Sequence, residues 1–371
     1  LKKHLLRVMH LEWLPVLFIS LILFKIVENY VSVWSFVKLL VGLLMPFVWG
    51  FGIAYILNPL MKNLEKFLRL PRMMSLVATY AIAAWILYLA MTGIVPSIAA
   101  SIQDIIDNGP AYFESLRRFL LDASVRIESF EFFDLEKFLE RWSLDNMLST
   151  ISENLDTAVS AMFFGVLGFA NSIFKFVIGL ILSIYLLKDK EKFISSIKRS
   201  AYAHFDKETA EGLCGFVHES DRMFTKFIIG KIVDSAIIGI LAYFGLIFMG
   251  IRYPILLALI VGVTNMIPYF GPFIGAVPAV LITLFYSPIQ SLWVLLFILV
   301  LQQFDGYILG PKILGDSVGV KPFMIILAIL LGGGLFGLLG MFLAVPTAAV
   351  IRNYYRRHVD RRLEEKGIVI S

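Results

Sequence analysis

Runs of about twenty apolar residues recur along this chain, and no other feature limits its fold so tightly. A bilayer hydrocarbon core is about 30 Å thick, which a helix of about 20 mostly apolar residues can cross. Eight stretches qualify, near residues 11–30, 36–57, 74–95, 160–187, 231–250, 254–286, 290–309 and 322–351. Composition agrees. Hydrophobic residues make up 59% of the 371 positions and charged residues 16%, whereas a soluble domain carries about 25% charged residues. Mean hydropathy is +0.83. Too few charged side chains are present to clothe a water-facing surface, so the surface must meet lipid. The same numbers exclude a disordered chain, a collagen and a nucleic-acid coat. The fold class expected is an all-α integral membrane protein with about eight transmembrane helices.

Lysine and arginine in the short loops set orientation. Lys2, Lys3 and Arg7 precede the first stretch, and Lys62, Lys66, Arg69 and Arg72 follow the second. Lys188, Lys190, Lys192, Lys198 and Arg199 follow the fourth, and the tail carries Arg352, Arg356, Arg357, Arg361, Arg362 and Lys366. Eight crossings put all of these inside, with both termini cytoplasmic. Residues 97–157 hold 12 acidic and 5 basic residues and fall outside by the same parity. Lys312 and Lys321, in what would be the last outer loop, run against the rule. The basic start and residues 14–24 resemble a signal peptide. No small-x-small cleavage site follows, so an uncleaved span is expected.

The expected organisation is three spans in 1–97, an extracytoplasmic helical insertion at 98–159, a fourth span at 160–187, cytoplasmic amphipathic helices at 188–230, a core of four spans at 231–351 and a basic tail at 352–371. Within the insertion, Asn108-Gly109-Pro110 reads as a helix start, with Phe113, Leu116 and Leu120 as its apolar stripe. Leu144, Leu148, Ile151, Leu155, Val159 and Met162 then follow near-heptad spacing, behind Ser143 as N-cap. That seam either packs within one subunit or helps assemble an oligomer. On the inner side, Phe193, Ile194 and Ile197 share a helix face opposite Lys192, Lys198 and Arg199, a pattern suited to the membrane interface.

Three of the expected spans are interrupted, and interruptions say more than apolar runs. Backbone that leaves the helix at membrane depth must be buried in protein or line a wet cavity. Pro268 and Pro272, with Gly271 between them, break the sixth stretch near 266–272 and bring Asn265 and Tyr269 to the break. The seventh carries Gln302, Gln303 and Asp305, then loosens near 306–311 at Gly306, Gly310 and Pro311. The eighth holds three consecutive glycines at 332–334, which either break the helix or admit another backbone closely. Charges inside spans cost at least about 2.5–3.5 kcal/mol at the helix centre. Lys25 and Lys38 lie near span ends, where they snorkel. Asp234 follows Lys231 by three residues and is either half of a helix-surface ion pair at the interface or a ligand for substrate or ion. Asp305 is the foremost functional carboxylate.

The run N-M-I-P-Y-F-G-P-F-I-G-A-V-P-A-V-L over residues 265–281 and Q-Q-F-D-G-Y-I-L-G-P-K-I-L-G-D over 302–316 resemble the autoinducer-2 exporter family of bacterial membrane transporters. S-V-G-V-K-P at 317–322, G-G-G-L-F-G-L-L-G-M-F-L-A-V-P at 332–346, G-K-I-V-D at 230–234 and Y-L-L-K-D at 185–189 extend the likeness. One departure is Lys321, where the family commonly has histidine before the proline. The resemblance implies a multispan transporter of the bacterial cytoplasmic membrane and a homo-oligomer, with a ring of five as the specific expectation. It also implies either export of a small signalling molecule or sodium(lithium)/proton antiport.

The leading expectation is therefore a secondary transporter exporting a small polar solute by alternating access. Asn265, Tyr269, Gln302, Gln303, Asp305 and Asp234 would form its substrate or ion site, with Pro268, Gly271, Pro272, Gly306, Gly310 and Pro311 setting the geometry of the breaks. Antiport is one alternative, and a non-transporting scaffold or receptor another. No enzymatic activity is expected, since HExxH does not appear and G-D-S-V-G-V-K at 315–321 lacks Walker A spacing. Cys214 is the single cysteine and the five histidines are scattered, so neither metal nor cofactor is expected. Nucleic acid is not an expected partner.

Overall fold

The computed structural model describes residues 28–126, 176–314 and 321–368, with isolated positions between 16 and 25. Every element among the described residues is helical. In chain order these are α1 (Tyr30–Leu68), α2 (Arg72–Leu89), a π-helical segment (Ala90–Ile94), α3 (Val95–Arg126), α4 (Phe176–Lys188) and α5 (Lys190–His204). Then come α6 (Lys207–Phe248), α7 (Pro254–Thr264), α8 (Gly271–Tyr286), α9 (Pro288–Phe304), a π-helical turn (Asp305–Leu309), α10 (Gly310–Leu314) and α11 (Pro322–Glu365). Five helical stretches among the described residues are long and apolar enough to cross a membrane. Of the eight expected spans, 11–30 and 160–187 lie largely outside the described residues, as does the seam from Ser143 to Met162. Phe248 is 93% exposed and Phe336 76%, the arrangement of a surface that meets lipid.

The chain divides into two compact units. In the first, built from residues up to Asn58 and from 167–190, α1 crosses α4 where two small residues meet. A Cβ on Gly50 would lie 2.8 Å from the Leu182 Cβ, and one on Gly179 would lie 2.9 Å from the Trp49 Cβ. Such contacts let two backbones approach within the bilayer, where association depends on packing. Lys190 adds a hydrogen bond from Nζ to Asn58 Oδ1 at 3.2 Å.

The second unit is organised on α6. Asp206 caps its start, with the carboxylate accepting from the Thr209 amide at 3.1 Å. From α6 the chain turns at Gly250 and at Tyr253, which holds a left-handed φ of 57°, and α7 returns antiparallel along α6. The crossing is close: a Cβ on Gly262 would fall 3.0 Å from the Gly239 Cα. The sixth expected span is broken near 266–272 as its prolines predict, and its two halves are short helices. At 1.5 Å per residue, the 11 residues of α7 give about 16 Å and the 16 of α8 about 24 Å, neither enough for a bilayer core. Pro268 removes a donor, and the Thr264 carbonyl accepts from the Ile267 amide at 2.9 Å instead of continuing the helix. Gly271 then lies directly on the Thr264 carbonyl, a position no side chain can occupy, so α8 folds back on α7. The result is a helical hairpin with its tip at residues 265–270.

A second reversal lies in α11, whose third break falls at Gly337 and not within 332–334. Gly337 holds φ 60° and ψ −142°, a conformation essentially restricted to glycine. Gly332 and Gly340 would be about 12 Å apart on a continuous helix, yet a Cβ on Gly332 would lie 2.5 Å from the Gly340 carbonyl oxygen. The arms 322–336 and 338–365 therefore lie against each other, with Gly332 and Gly333 on the contact surface. The second arm returns antiparallel to α6. Phe342 meets Phe227 at 5.7 Å, Tyr354 meets Phe216 at 5.1 Å, and Arg357 clamps Glu219 with both terminal nitrogens.

α9 also runs antiparallel to α6, with Phe297 against Gly245 near one end and α10 packed on α6 toward the other. Ile238, Leu246, Leu257, Val261, Val294 and Ile298 fill the core between α6, α7 and α9. The helix start expected at Asn108-Gly109-Pro110 is overturned, because α3 continues from Val95 through Pro110 to Arg126. Asn108 turns its side chain back to Asp104, at 2.8 Å from Oδ1, and does not cap a new helix. Asp104 also accepts from the hydroxyls of Tyr112, at 3.1 Å, and Tyr253. Arg252 donates to the Tyr112 hydroxyl at 2.7 Å, so α3 is fastened to the turn between α6 and α7.

Candidate functional site

Lys231, Asp234 and Ser235 share one face of α6 through i, i+3 and i+4 spacing, and that face is turned inward. Asp234 is 0% exposed, Lys231 6% and Ser235 5%. The expectation of a helix-surface pair at the interface therefore fails. The pair forms, at 2.6 Å between Lys231 Nζ and Asp234 Oδ2, but in the interior. Asp234 precedes Phe248 by fourteen residues, or about 21 Å of helix, which lies within a hydrocarbon thickness of about 30 Å measured from that end.

Two other elements complete the cluster. Asn265, 1% exposed, closes the C-terminus of α7 and donates from Nδ2 to Asp234 Oδ2 at 3.2 Å. The hairpin tip places it there, since the chain must stop being helical one residue after Thr264. Asp305, 9% exposed, opens the π-helical turn after α9 with its Oδ2 at 4.0 Å from Lys231 Nζ. Pro311 accounts for that turn. It has no amide proton, and its ring would strike the carbonyl four residues earlier in a regular helix, which a wider turn relieves. The Asp305 carboxyl lies beside the Asp234 carboxyl and the Asn265 amide.

The cluster thus joins two carboxylates, one ammonium and one amide, drawn from three helices. Several of its polar atoms lack a hydrogen-bond partner: Asp234 Oδ1, Asp305 Oδ1, Asn265 Oδ1 and Ser235 Oγ, together with Gln302 Nε2. A buried polar atom left without a partner costs about 1–3 kcal/mol. Four of the five are oxygens, the donor type that hard cations and protons seek.

Among the six residues expected to bind substrate or ion, the fold brings together Asp234, Asn265 and Asp305, with Gln302 one turn before Asp305. Gln303 faces outward, and Tyr269 is exposed at the hairpin tip with φ 64°. Pro268, Gly271 and Pro272 shape the tip, while Gly306, Gly310 and Pro311 lie in or next to the π-helical turn. Sequence reasoning passed over Ser235 and gave Lys231 no role in a site. The signal was weak, since Lys231 opens the expected span at 231–250 and Lys226 stands five residues before it, where a lysine snorkels easily. No group of three or more His, Cys, Asp or Glu side chains arranged to hold a metal ion occurs among the described residues.

Comparison with known proteins gives a consistent result. The protein YrrI of Bacillus subtilis (strain 168) is 30% identical over 355 residues, covering 92% of this chain and 94% of its own. YueF of the same organism is 27% identical over 347 residues, covering 93% and 92%. The AI-2 transport protein TqsA of Escherichia coli (strain K12) is 24% identical over 324 residues, covering 84% of each chain. Residues 15–360 match the family described as AI-2E family transporter. With nearly the whole length matched, and with apolar helices of membrane-crossing length, this chain is a multi-pass membrane protein and belongs to the AI-2E family of transporters.

Proposed function

We propose that the chain is a bacterial secondary transporter that exports a small polar solute by alternating access, with Asp234, Asn265 and Asp305 as its coupling site. The observation that carries this reading is the cluster of buried carboxylates and amide at membrane depth, drawn from three helices and holding buried oxygens without hydrogen-bond partners. Buried ionisable groups in a span are costly and serve pathways and relays. A site bounded by a hairpin tip and a π-helical turn has two hinges beside it, as a site that opens to alternate sides requires. The relative TqsA is named an AI-2 transport protein, so autoinducer-2 is the first solute to test.

Orientation belongs to the same proposal. With both hairpins returning to the side they start from, Lys312 and Lys321 join the arginine-rich tail on the cytoplasmic side. The two exceptions to the positive-inside rule then disappear. The N-terminus is placed inside as well, in the cytoplasmic membrane, and a ring of five subunits is the assembly proposed. Transport, not catalysis, is the activity.

A second reading, sodium or lithium exchange for protons, is favoured by the all-oxygen character of four unpartnered atoms. Flux in sealed proteoliposomes separates the two. Labelled autoinducer-2 is followed together with a pH-sensitive dye, comparing the wild-type chain with Asp305→Asn. Solute movement lost in the variant supports export. Proton release on adding sodium or lithium, lost in the variant, supports antiport. Flux unchanged by Asp305→Asn at equal protein level removes Asp305 from the site.

A further inference from the structure

We infer that Lys231 is a resident cation that sets the valence of the coupling site, restricting it to a single positive charge. The inference rests on the coupling-site reading above and adds a residue and a charge rule to it.

Three observations combine. Oxygens come first: Asp234 Oδ1, Asp305 Oδ1, Asn265 Oδ1 and Ser235 Oγ are buried without partners, on residues that are nine-tenths or more buried. Asn265 is already oriented into the cluster by its bond to Asp234, so its carbonyl oxygen belongs to the same site. Such a set is suited to a proton or a hard cation, and offers little to an anion.

Charge comes second. Two carboxylates and one ammonium leave the cluster at −1, and an uncompensated charge in the interior is strongly destabilising. One proton or one alkali cation brings the sum to zero. A divalent ion would leave +1, as costly as the charge it replaced.

Position comes third. Lys231 Nζ lies 2.6 Å from one carboxylate and 4.0 Å from the other, so it stands where a second cation of a doubly charged site would stand. The side chain supplies permanently what a mobile ion would otherwise bring. Lys231→Gln removes that charge with little change in length. Two carboxylates and two amide or hydroxyl oxygens at −2 then form a seat for one divalent ion.

The test is equilibrium binding of radioactive calcium to the full chain purified in detergent, in choline buffer. The wild-type chain is expected to bind none specifically. Lys231→Gln is expected to bind about one calcium per chain, at least about tenfold more tightly than wild type, equivalent to about 1.4 kcal/mol. The double variant Lys231→Gln/Asp305→Asn restores −1 and is expected to lose that binding. Should Lys231→Gln be unstable alone, it is purified with calcium throughout, and recovery only with calcium is the expected result. The inference is overturned if Lys231→Gln binds no more calcium than wild type, if wild type binds it equally, or if the single variant is lost with and without calcium while the double variant is recovered. Absence of calcium binding with flux still abolished by Asp305→Asn would overturn the valence rule and leave the coupling site standing. Calcium binding in Lys231→Gln with flux indifferent to Asp305→Asn would do the reverse.

Discussion

Replacing Asp234 by asparagine keeps the side-chain shape and removes the charge that Lys231 touches at 2.6 Å. The ammonium is not stranded, because Asp305 remains at 4.0 Å. With an effective dielectric constant of about 20, the two attractions are about 6 and about 4 kcal/mol before desolvation. Asp234→Asn gives up the larger of the two attractions, so it should cost about 2 kcal/mol more than the same change at Asp305. Lys231→Gln removes both attractions and leaves two buried carboxylates facing each other. It falls among the changes that break a buried pair and cost about 3–5 kcal/mol. Asp305→Asn removes the weaker attraction together with the excess charge, and its net effect on stability should be close to zero. Thermal unfolding of the detergent-purified chain, followed by tryptophan fluorescence at low calcium, measures the order. The expected order of midpoints is wild type and Asp305→Asn highest, then Asp234→Asn, then Lys231→Gln. If Asp305→Asn unfolds first, or Lys231→Gln melts with the wild type, the charge reasoning fails.

Gly337→Val should destabilise the chain by about 1–3 kcal/mol, because φ 60° with ψ −142° admits essentially only glycine; an unchanged midpoint would contradict the reversal in α11. Gly50→Leu should lower the yield of folded protein, since a Cβ there already meets Leu182 at 2.8 Å, and normal recovery from membranes would argue against that crossing. Tyr253→Phe removes a hydroxyl that donates to Asp104 and should increase hydrogen exchange at the turn between α6 and α7; identical exchange would show that the bond does not hold α3 there. Asp206 is held below the usual carboxylate range by the Thr209 amide it accepts from, so its capping contribution is present above that range and fades as pH falls through its own lower value. Hydrogen exchange in the first turn of α6 should therefore rise on acidification below about pH 4 in the wild type and respond less in Asp206→Asn.

Much of the fold is legible in local sequence. Apolar runs mark where helices cross, and Pro268, Gly271 and Pro272 mark where one of them must stop. The direction taken after a break is another matter. Pro268 shows that α7 ends, while only the contact between Gly271 and Thr264 shows that α8 turns back and does not continue across. At residues 332–334 three glycines suggested the break, yet a helix tolerates them when another backbone lies alongside. The reversal needs a positive φ, and Gly337 supplies it.

The candidate site divides in the same way. Residue type alone singled out Asp234, Asn265 and Asp305, because a charged or amide side chain in an apolar run is expensive and needs a reason. Lys231 and Asp234 are three residues apart and read equally well as a surface pair. Which face of α6 is turned inward depends on α7 and α9, which lie 31 and 71 residues further along the chain at Asn265 and Asp305. Period and composition fix the helices because those signals are local, read over one or two turns. Contact between a hairpin tip, a π-helical turn and the middle of a long helix depends on packing across the chain, and tertiary structure alone brought those four side chains together.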